Sequence, residues 1–260
     1  MTASTKGRIR QAGSGRILFW RGGSVWIGRA EESTEVHSHH AIQITLALSQ
    51  GGLRFQSPAK DWKSYSAAVV SAHCPHAFEA NGELVALIFV EPESHEGQAI
   101  RMHFCEGISP LSKESILAEI DALTEAYHEK HADHELISRA RRLICNLAAS
   151  IPAPPLPLDN RIVQAIELLH QRVGQTVSLA DIAESVHLSP ERFRHLFIQQ
   201  TGIRFRPYVL WLRLGNAITS YVAGATLTEA SQVGGFSDSA HFSRTFKRMF
   251  GIAPISLHPE

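Results

Sequence analysis

Two stretches of this 260-residue chain repeat one construction: LADIAESVHLSPERFRHLFIQQTG, Leu179 to Gly202, and LTEASQVGGFSDSAHFSRTFKRMFG, Leu227 to Gly251. Each reads as a short helix, a turn, a capping serine and a second helix closed by glycine. In the second copy Phe242, Phe246 and Phe250 recur at i, i+4 and i+8 beside Met249, so one stripe belongs to a core. Ser239, Ser243, Arg244, Lys247 and Arg248 occupy the other side. In the first copy Phe193, Leu196 and Phe197 form the inner stripe, while Glu191, Arg194, His195 and Ile198 face outward. Ser178 caps the opening helix of the first unit, and Ser189-Pro190 is a cap followed by proline at the first helical position. Gly234-Gly235 makes the second turn, and Ser237 opens the helix that follows. This is the helix-turn-helix layout, whose second helix enters a DNA major groove. A helix from Pro207 separates the copies; at ~1.5 Å per residue it spans about 25 Å, a spacer suited to grooves ~34 Å apart.

The residues before the repeat behave differently. From 16 to 91, runs such as RILFW, SVWIG, IQITLAL, LRFQS, AAVVSA and LVALIFVE are separated by Gly22-Gly23, Gly51-Gly52, Ser57-Pro58 and Asn81-Gly82. Short strands at close spacing predict a sandwich or small barrel, with Asn81-Gly82 as a hairpin turn. After Pro110, Ile116, Ile120, Leu123 and Tyr127 take up helical spacing, and Leu136, Ala140, Leu143, Ile144 and Leu147 do so again. PAPPLP, Pro152 to Pro157, cannot continue a helix and predicts a stiff linker. The expected division is therefore residues 1–151 (strands 16–91, helices about 111–150), a linker at 152–158 and an all-α region at 159–260. Asn160 is the expected cap of that region's first helix, which carries Ile162, Ile166 and Leu169.

No apolar run approaches the ~18 residues a membrane span needs, and MTASTKGRIRQAGSG has no apolar segment of a secretory signal behind it. Cys74, Cys105 and Cys145 are odd in number and widely spaced, which suits free thiols in a cytoplasmic protein. Net charge is zero, and from Asp159 onward ten basic residues face eight acidic ones. A basic footprint must therefore be local and the affinity of one copy modest, which favours a homodimer.

The segment from Asn160 to Leu257 resembles the DNA-binding domain of the AraC/XylS family of bacterial transcription regulators, most specifically in GFSDSAHFSRTFKRMFGIAP, Gly235 to Pro254. It departs from the family pattern at Ala230-Ser231, where a bulky aliphatic and alanine are usual. Further departures are the doubled glycine at Gly234 and Ser256-Leu257-His258 in place of the usual Tyr-Arg. The resemblance implies base-reading roles for Glu191, Arg194 and His195 in one helix and Ser239, Ala240, Ser243 and Arg244 in the other. Lys247 and Arg248 suit phosphates. It also implies double-stranded promoter DNA, a small-molecule effector and a second copy of the chain as partners, with RNA polymerase a further candidate.

The β-region resembles the cupin-like effector domain common in that family. In VHSHHAIQITLAL, strand alternation puts His37, His39, Ala41 and Gln43 on one face and Ile42, Ile44, Leu46 and Leu48 on the other. With His76, these residues are similar to the metal set of cupins, except that Gln43 stands where a glutamate is usual; His73 offers a second pair with His76. The expected use is an effector pocket built from His37, His39, Gln43, His76, Trp26 and Phe55, with Trp20, Trp62 and Phe78 as further walls and no resident cofactor. The alternative is a metal held by His37, His39 and His76. By the same resemblance, the helices of 113–149 dimerise; packing on their own strands is the competing expectation. The chain has no glycine-rich phosphate loop, nucleophile elbow or paired carboxylates, so it reads as a non-enzyme. The runner-up is a metal-dependent cupin enzyme joined to a DNA-binding domain, and a third reading is an effector-free regulator governed by a protein partner.

Overall fold

The computed structural model describes residues 13–259 other than 113 and 153–156, so most of the expected proline linker lies outside the described residues. The described residues form ten strands: β1 Gly13–Trp20, β2 Gly23–Ala30, β3 Ile42–Ala47, β4 Leu53–Gln56, β5 Lys63–Tyr65, β6 Ala67–Val70, β7 Ala77–Glu79, β8 Leu84–Val90, β9 Ile108–Pro110 and β10 Leu257–Pro259. The helices in the first half are α1 His95–His103, α2 Leu117–His128 and α3 Asp133–Ala149. Those in the second are α4 Asn160–Gln171, α5 Leu179–Ser185, α6 Pro190–Thr201, α7 Phe205–Val222, α8 Leu227–Val233 and α9 Ser239–Phe250.

The strands form two sheets and no closed barrel among the described residues, which corrects the barrel expectation. One sheet runs β10-β1-β2-β8-β3-β6-β9 and the other β5-β4-β7. Asn81 and Gly82 have φ of 51° and 83°, as a two-residue turn with left-handed residues requires. Yet β7 and β8, on either side of it, lie in different sheets: β7 pairs with β4, and β8 with β2 and β3. The turn was read correctly; the pairing across it was not, because a crossing between sheets uses the same local geometry. The short strands β5, β7 and β9 lie outside the expected runs, and so do α1 and β10. α1 is a short helix capped by Ser94, and β10 adds to β1 in parallel, Gly13 opposite Leu257, from more than 240 residues away.

The larger sheet is covered on both faces. On one side Val25, Ile27, Ile42, Ile44, Leu46, Ala86 and Ile88 join Ile120, Leu123, Leu136, Ala140, Leu143 and Ile144 of α2 and α3. The apolar stripe of α3 is thus used on its own sheet, the competing expectation. On the opposite face β4, β7 and their neighbours cover one part, with Phe55 and Phe78 at the centre. The second helix-turn-helix unit covers another: Trp26, Ala41 and Phe89 share a core with Leu214, Ala217, Phe242, Phe246 and Phe250. The first unit keeps a separate core of Ile162, Leu169, Phe193, Phe197, Phe205 and Tyr208.

Local chemistry sets the helix ends. Ser178 and Ser189 cap α5 and α6, their hydroxyls accepting from Asp181 N and Arg192 N. Thr226 and Glu229 form a reciprocal capping box on α8. Three expected starts move slightly. Asp159, not Asn160, caps α4; Asp238, not Ser237, caps α9 by accepting from His241 N at 2.6 Å; α7 begins at Phe205, two residues before Pro207. A carboxylate beside the neutral candidate accounts for the first two, since it accepts more strongly at a helix N-terminus. Gly234 also gains a reason: a Cβ there would lie 2.7 Å from Ala217 Cβ and 2.8 Å from Arg213 O, so glycine lets the turn sit against α7.

Candidate nucleic-acid interface and sensor site

The two recognition helices present the expected residues outward. On α6, Glu191, Arg194 and His195 are exposed while Phe193 and Phe197 are fully buried. On α9, Ala240, Arg244, Lys247 and Arg248 are exposed and Ser239 and Ser243 half-exposed, over Phe242, Thr245 and Phe246. Both helices end on glycines in the left-handed region, Gly202 at φ 77° and Gly251 at φ 72°. Several of these side chains are engaged within the chain. Glu191 accepts from Arg194 Nη1 at 2.5 Å and lies 2.8 Å from His195 Nε2. Lys247 Nζ is 2.7 Å from Glu35 Oε1 of the β-region.

Glu35 belongs to a broader docking contact. Its backbone N–H donates to Gly251 O at 2.9 Å, and a Cβ on Gly251 would meet Glu35 O at 2.4 Å. Phe250 lies 4.9 Å, ring centre to ring centre, from both Trp26 and Phe246, and 5.7 Å from Phe89. The C-terminal end of α9 is therefore built into the β-region, whereas α6 meets the first half through Arg101 Nη1, which donates to Gln200 O at 3.2 Å.

Of the residues expected to line an effector pocket, His37, His39 and His76 come together, all buried, with a ring nitrogen of each within 4.8 Å of the others. They lie on two segments joined by a short antiparallel bridge, His37 N to His76 O and His76 N to His37 O, both 2.9 Å. Each ring lies with Nδ1 against a backbone carbonyl: Glu35 O at 2.8 Å, Ala41 O at 2.8 Å and Cys74 O at 2.9 Å. A neutral imidazole donating from Nδ1 keeps its lone pair on Nε2. His39 Nε2 lies 3.0 Å from the Gln43 carboxamide, whose other end meets Thr45 Oγ1 at 2.8 Å. His76 Nε2 is buried with no hydrogen-bond partner. Burial drives His39 down to about 3, with His37 adding to the shift. Burial also holds His76 well below and His37 below the usual imidazole range. All three are neutral at physiological pH.

The remaining expected lining residues are placed apart. Phe55 is buried behind His76, 5.8 Å between ring centres, and packs on Phe78. Trp62 lies beneath the Arg54 guanidinium, and Trp20 packs on the other face of the sheet. Trp26 and Phe78, with Ile17, Leu87, Ile252 and Leu257, line an apolar cavity of about 100 Å³ to which β1, β2 and the segment after α9 all contribute.

A second cluster, absent from the sequence reading, lies where the strands meet α4 and α7. His40 Nε2 is 2.9 Å from Glu93 Oε2, and His40 Nδ1 is 3.2 Å from His73 Nε2. Burial pushes Glu93 up, but His40 outweighs it and leaves its carboxyl below the usual range. Burial and the adjacent Glu93 push Glu91 up to about 8, against the pull of Arg21. Tyr208, from the first unit's core, is raised by burial and by the same two carboxylates. Its members are spread over some 190 residues, from Arg21 to Tyr208, so no local pattern announces them.

A family model described as a helix-turn-helix domain matches residues 182–258. The chain is 23% identical over 234 residues to a probable transcriptional regulator, LumQ, of Photobacterium leiognathi, covering 86% of this chain and 92% of that one. It is 33% identical over 102 residues to the arabinose operon regulatory protein of Escherichia coli, a match confined to 38% of this chain and 34% of that protein. Among solved structures, ToxT of Vibrio cholerae O395 aligns with a TM-score of 0.60 at 11% identity, over 90% of this chain and 96% of that one. A ToxT structure with an unsaturated fatty acid bound aligns at 0.53, also at 11% identity, over 88% and 91%. At that identity the likeness is one of fold.

Proposed function

The chain is a transcriptional regulator of the AraC family, a DNA-binding protein and not an enzyme, and from that premise we propose how it reads DNA and how it is controlled. α6 and α9 enter successive major grooves on one side of the duplex, with α7 as the spacer. Arg194 and Arg244 are the principal base readers, each able to make a bidentate contact with guanine. Glu191 and His195 support the first reader, and Ser239, Ala240 and Ser243 form the close-fitting face of the second. Lys247 and Arg248 meet phosphate. The weak positive balance of this half makes a homodimer the functional unit.

Control runs through the docked second unit. The observation that carries this reading is the shared core in which Phe250 of α9 packs on Trp26 of β2. Trp26, Ile252 and Leu257 also line the apolar cavity. A ligand that prefers one arrangement of those walls shifts the balance between docked and released α9, because differential affinity is what moves such an equilibrium. Cavity chemistry favours an apolar body, and the fatty acid bound by ToxT supports an acid of that kind as the effector class. At about 100 Å³ the cavity must widen to take a long chain, so binding and rearrangement go together.

Selection of binding sites from random duplexes at moderate salt tests the DNA half of this reading. Enrichment of two short half-sites one helical turn apart is expected, and failure to enrich any motif overturns it. Aliphatic carboxylates that raise the melting temperature of the chain, and lose that effect in Trp26→Ala, are expected of the sensing half; stabilisation unchanged by the substitution places the effector elsewhere.

A further inference from the structure

DNA reading and the apolar cavity leave the three buried histidines unused. We propose that His37, His39 and His76 bind a single divalent transition-metal ion, of the zinc, cobalt and nickel class, beneath the docked end of α9.

The first argument is the hydrogen-bond pattern. Each Nδ1 is committed to a backbone carbonyl, which leaves Nε2 as the remaining ligand atom of each ring, that of His39 lying 3.0 Å from Gln43 Oε1. Histidines that hold metals are oriented in this way, with the remaining N–H on a carbonyl or carboxylate. The second is the unpartnered atom. A buried acceptor without a donor is costly, and His76 Nε2 is such an atom at 0% exposure. The third is placement by backbone: the reciprocal hydrogen bonds between His37 and His76 hold their segments together before any ion arrives.

Donor chemistry selects the class. Three neutral imidazoles with no carboxylate suit zinc, nickel or copper and do not suit calcium or magnesium. Zn–N bonds of about 2.0–2.1 Å in a tetrahedral site put nitrogens about 3.4 Å apart. One nitrogen of each ring now lies within 4.8 Å of the others, so metal binding draws the three together. Gln43, hydrogen-bonded to His39, is a neutral and weak candidate for the fourth position, which otherwise goes to water.

The location gives the ion a role in control. A crevice between the two halves, lined by Ser38, His39, His73, Ile203, Pro207 and Met249, supplies the access route. The backbone at 34–37 that carries the first ligand also receives Gly251 and Lys247. An ion there stiffens the surface on which the second reader rests, and that reader shields the ion from exchange.

The test uses the full-length chain, untagged and treated with chelator, titrated with Co²⁺ alone and then displaced with Zn²⁺. Saturable visible absorption at one Co²⁺ per chain is expected, without the intense near-ultraviolet band that a thiolate such as Cys74 would add. His37→Gln and His76→Gln should each weaken binding at least tenfold, while His73→Gln, in the crevice but outside the triad, should bind as the parent does. Zn²⁺ should raise the melting temperature of the parent and not of the triad variants. No saturable absorption, a thiolate band, or equal binding by the parent and the triad variants overturns the proposal. If one triad variant does not fold, the parent titration and the other variant decide the matter.

Discussion

Lys247 Nζ lies 2.7 Å from Glu35 Oε1, so a cation on the outward face of α9 is held by a carboxylate of the β-region. Both side chains are at least half exposed, which limits such a pair to roughly 0.2–1 kcal/mol. Phosphate and Glu35 compete for the same ammonium group. Glu35→Gln is therefore expected to tighten binding to the selected duplex by about two- to fivefold, an effect that fades as salt rises. Titration of labelled duplex at two ionic strengths checks it.

Gly251 and Gly202 end their helices in the same left-handed conformation, but only one of them touches the other half of the chain closely. A Cβ on Gly202 finds Arg101 Nη1 at 3.5 Å and nothing nearer; one on Gly251 meets Glu35 O at 2.4 Å and Thr34 Cβ at 2.8 Å. Gly202→Ala should cost the conformational penalty alone, about 1–2 kcal/mol. Gly251→Ala should cost more and undock the second unit. Thermal melting measures the difference, and a changed Trp26 fluorescence signal, as Phe250 leaves its ring, reports the undocking.

Arg194 and Arg244 differ in what restrains them. Glu191 holds Arg194 at 2.5 Å, while Arg244 is exposed on its helix with Asp238 nearby. Arg244→Ala is expected to relax preference at one or two base pairs by about 1–3 kcal/mol. Glu191→Gln should strengthen binding to all duplexes while weakening preference at the Arg194 half-site, because it removes both a negative charge and the group that orients the arginine. Site selection repeated with each variant distinguishes these outcomes from a uniform loss, which would mark a phosphate contact.

Glu91 sets a pH dependence at the junction of the two halves. Its folded-state pKa is about 8 against an ordinary 4.5, so between those values the folded chain holds a proton that the unfolded chain has released. Stability from this group therefore falls as pH rises through that window, by at most ~1.4 kcal/mol per unit. The contribution of Glu93, whose pKa is depressed, is already complete above the ordinary carboxylate range and does not change there. Denaturant unfolding at about pH 6.5 and pH 8.5 should show a loss in the parent that Glu91→Gln reduces.

The helical half was readable because its signals are local. Phe242, Phe246 and Phe250 lie on one stripe, Ser189-Pro190 begins α6, and glycines close both recognition helices, all within a few residues of one another. The β-strands were readable as runs, but β3 begins only at Ile42, so His39 meets Gln43 from a loop rather than by the strand alternation expected of 37–43. Which strands pair was not readable, since Asn81-Gly82 turns the chain equally well within a sheet or between two. Nor was the docking of Phe250 on Trp26 foreseen, because a phenylalanine stripe buried in its own unit looks the same in sequence as one buried against a partner surface. Glu91 beside Glu93 reads as an exposed acidic turn until His40 and Tyr208 enclose it.

The parallel pairing of β1 with β10 gives the sheet a history as well as a shape. The start of β1, Gly13 to Gly15, must wait for a strand more than 240 residues later before its outer edge is paired. Contacts of such separation form late and slowly. Throughout synthesis the first strand of the β-region presents bare backbone donors and acceptors on that edge, the template from which misassembly between copies starts. The chain overproduced is expected to aggregate through β1, and losing residues 257–259 would leave that edge unpaired for good.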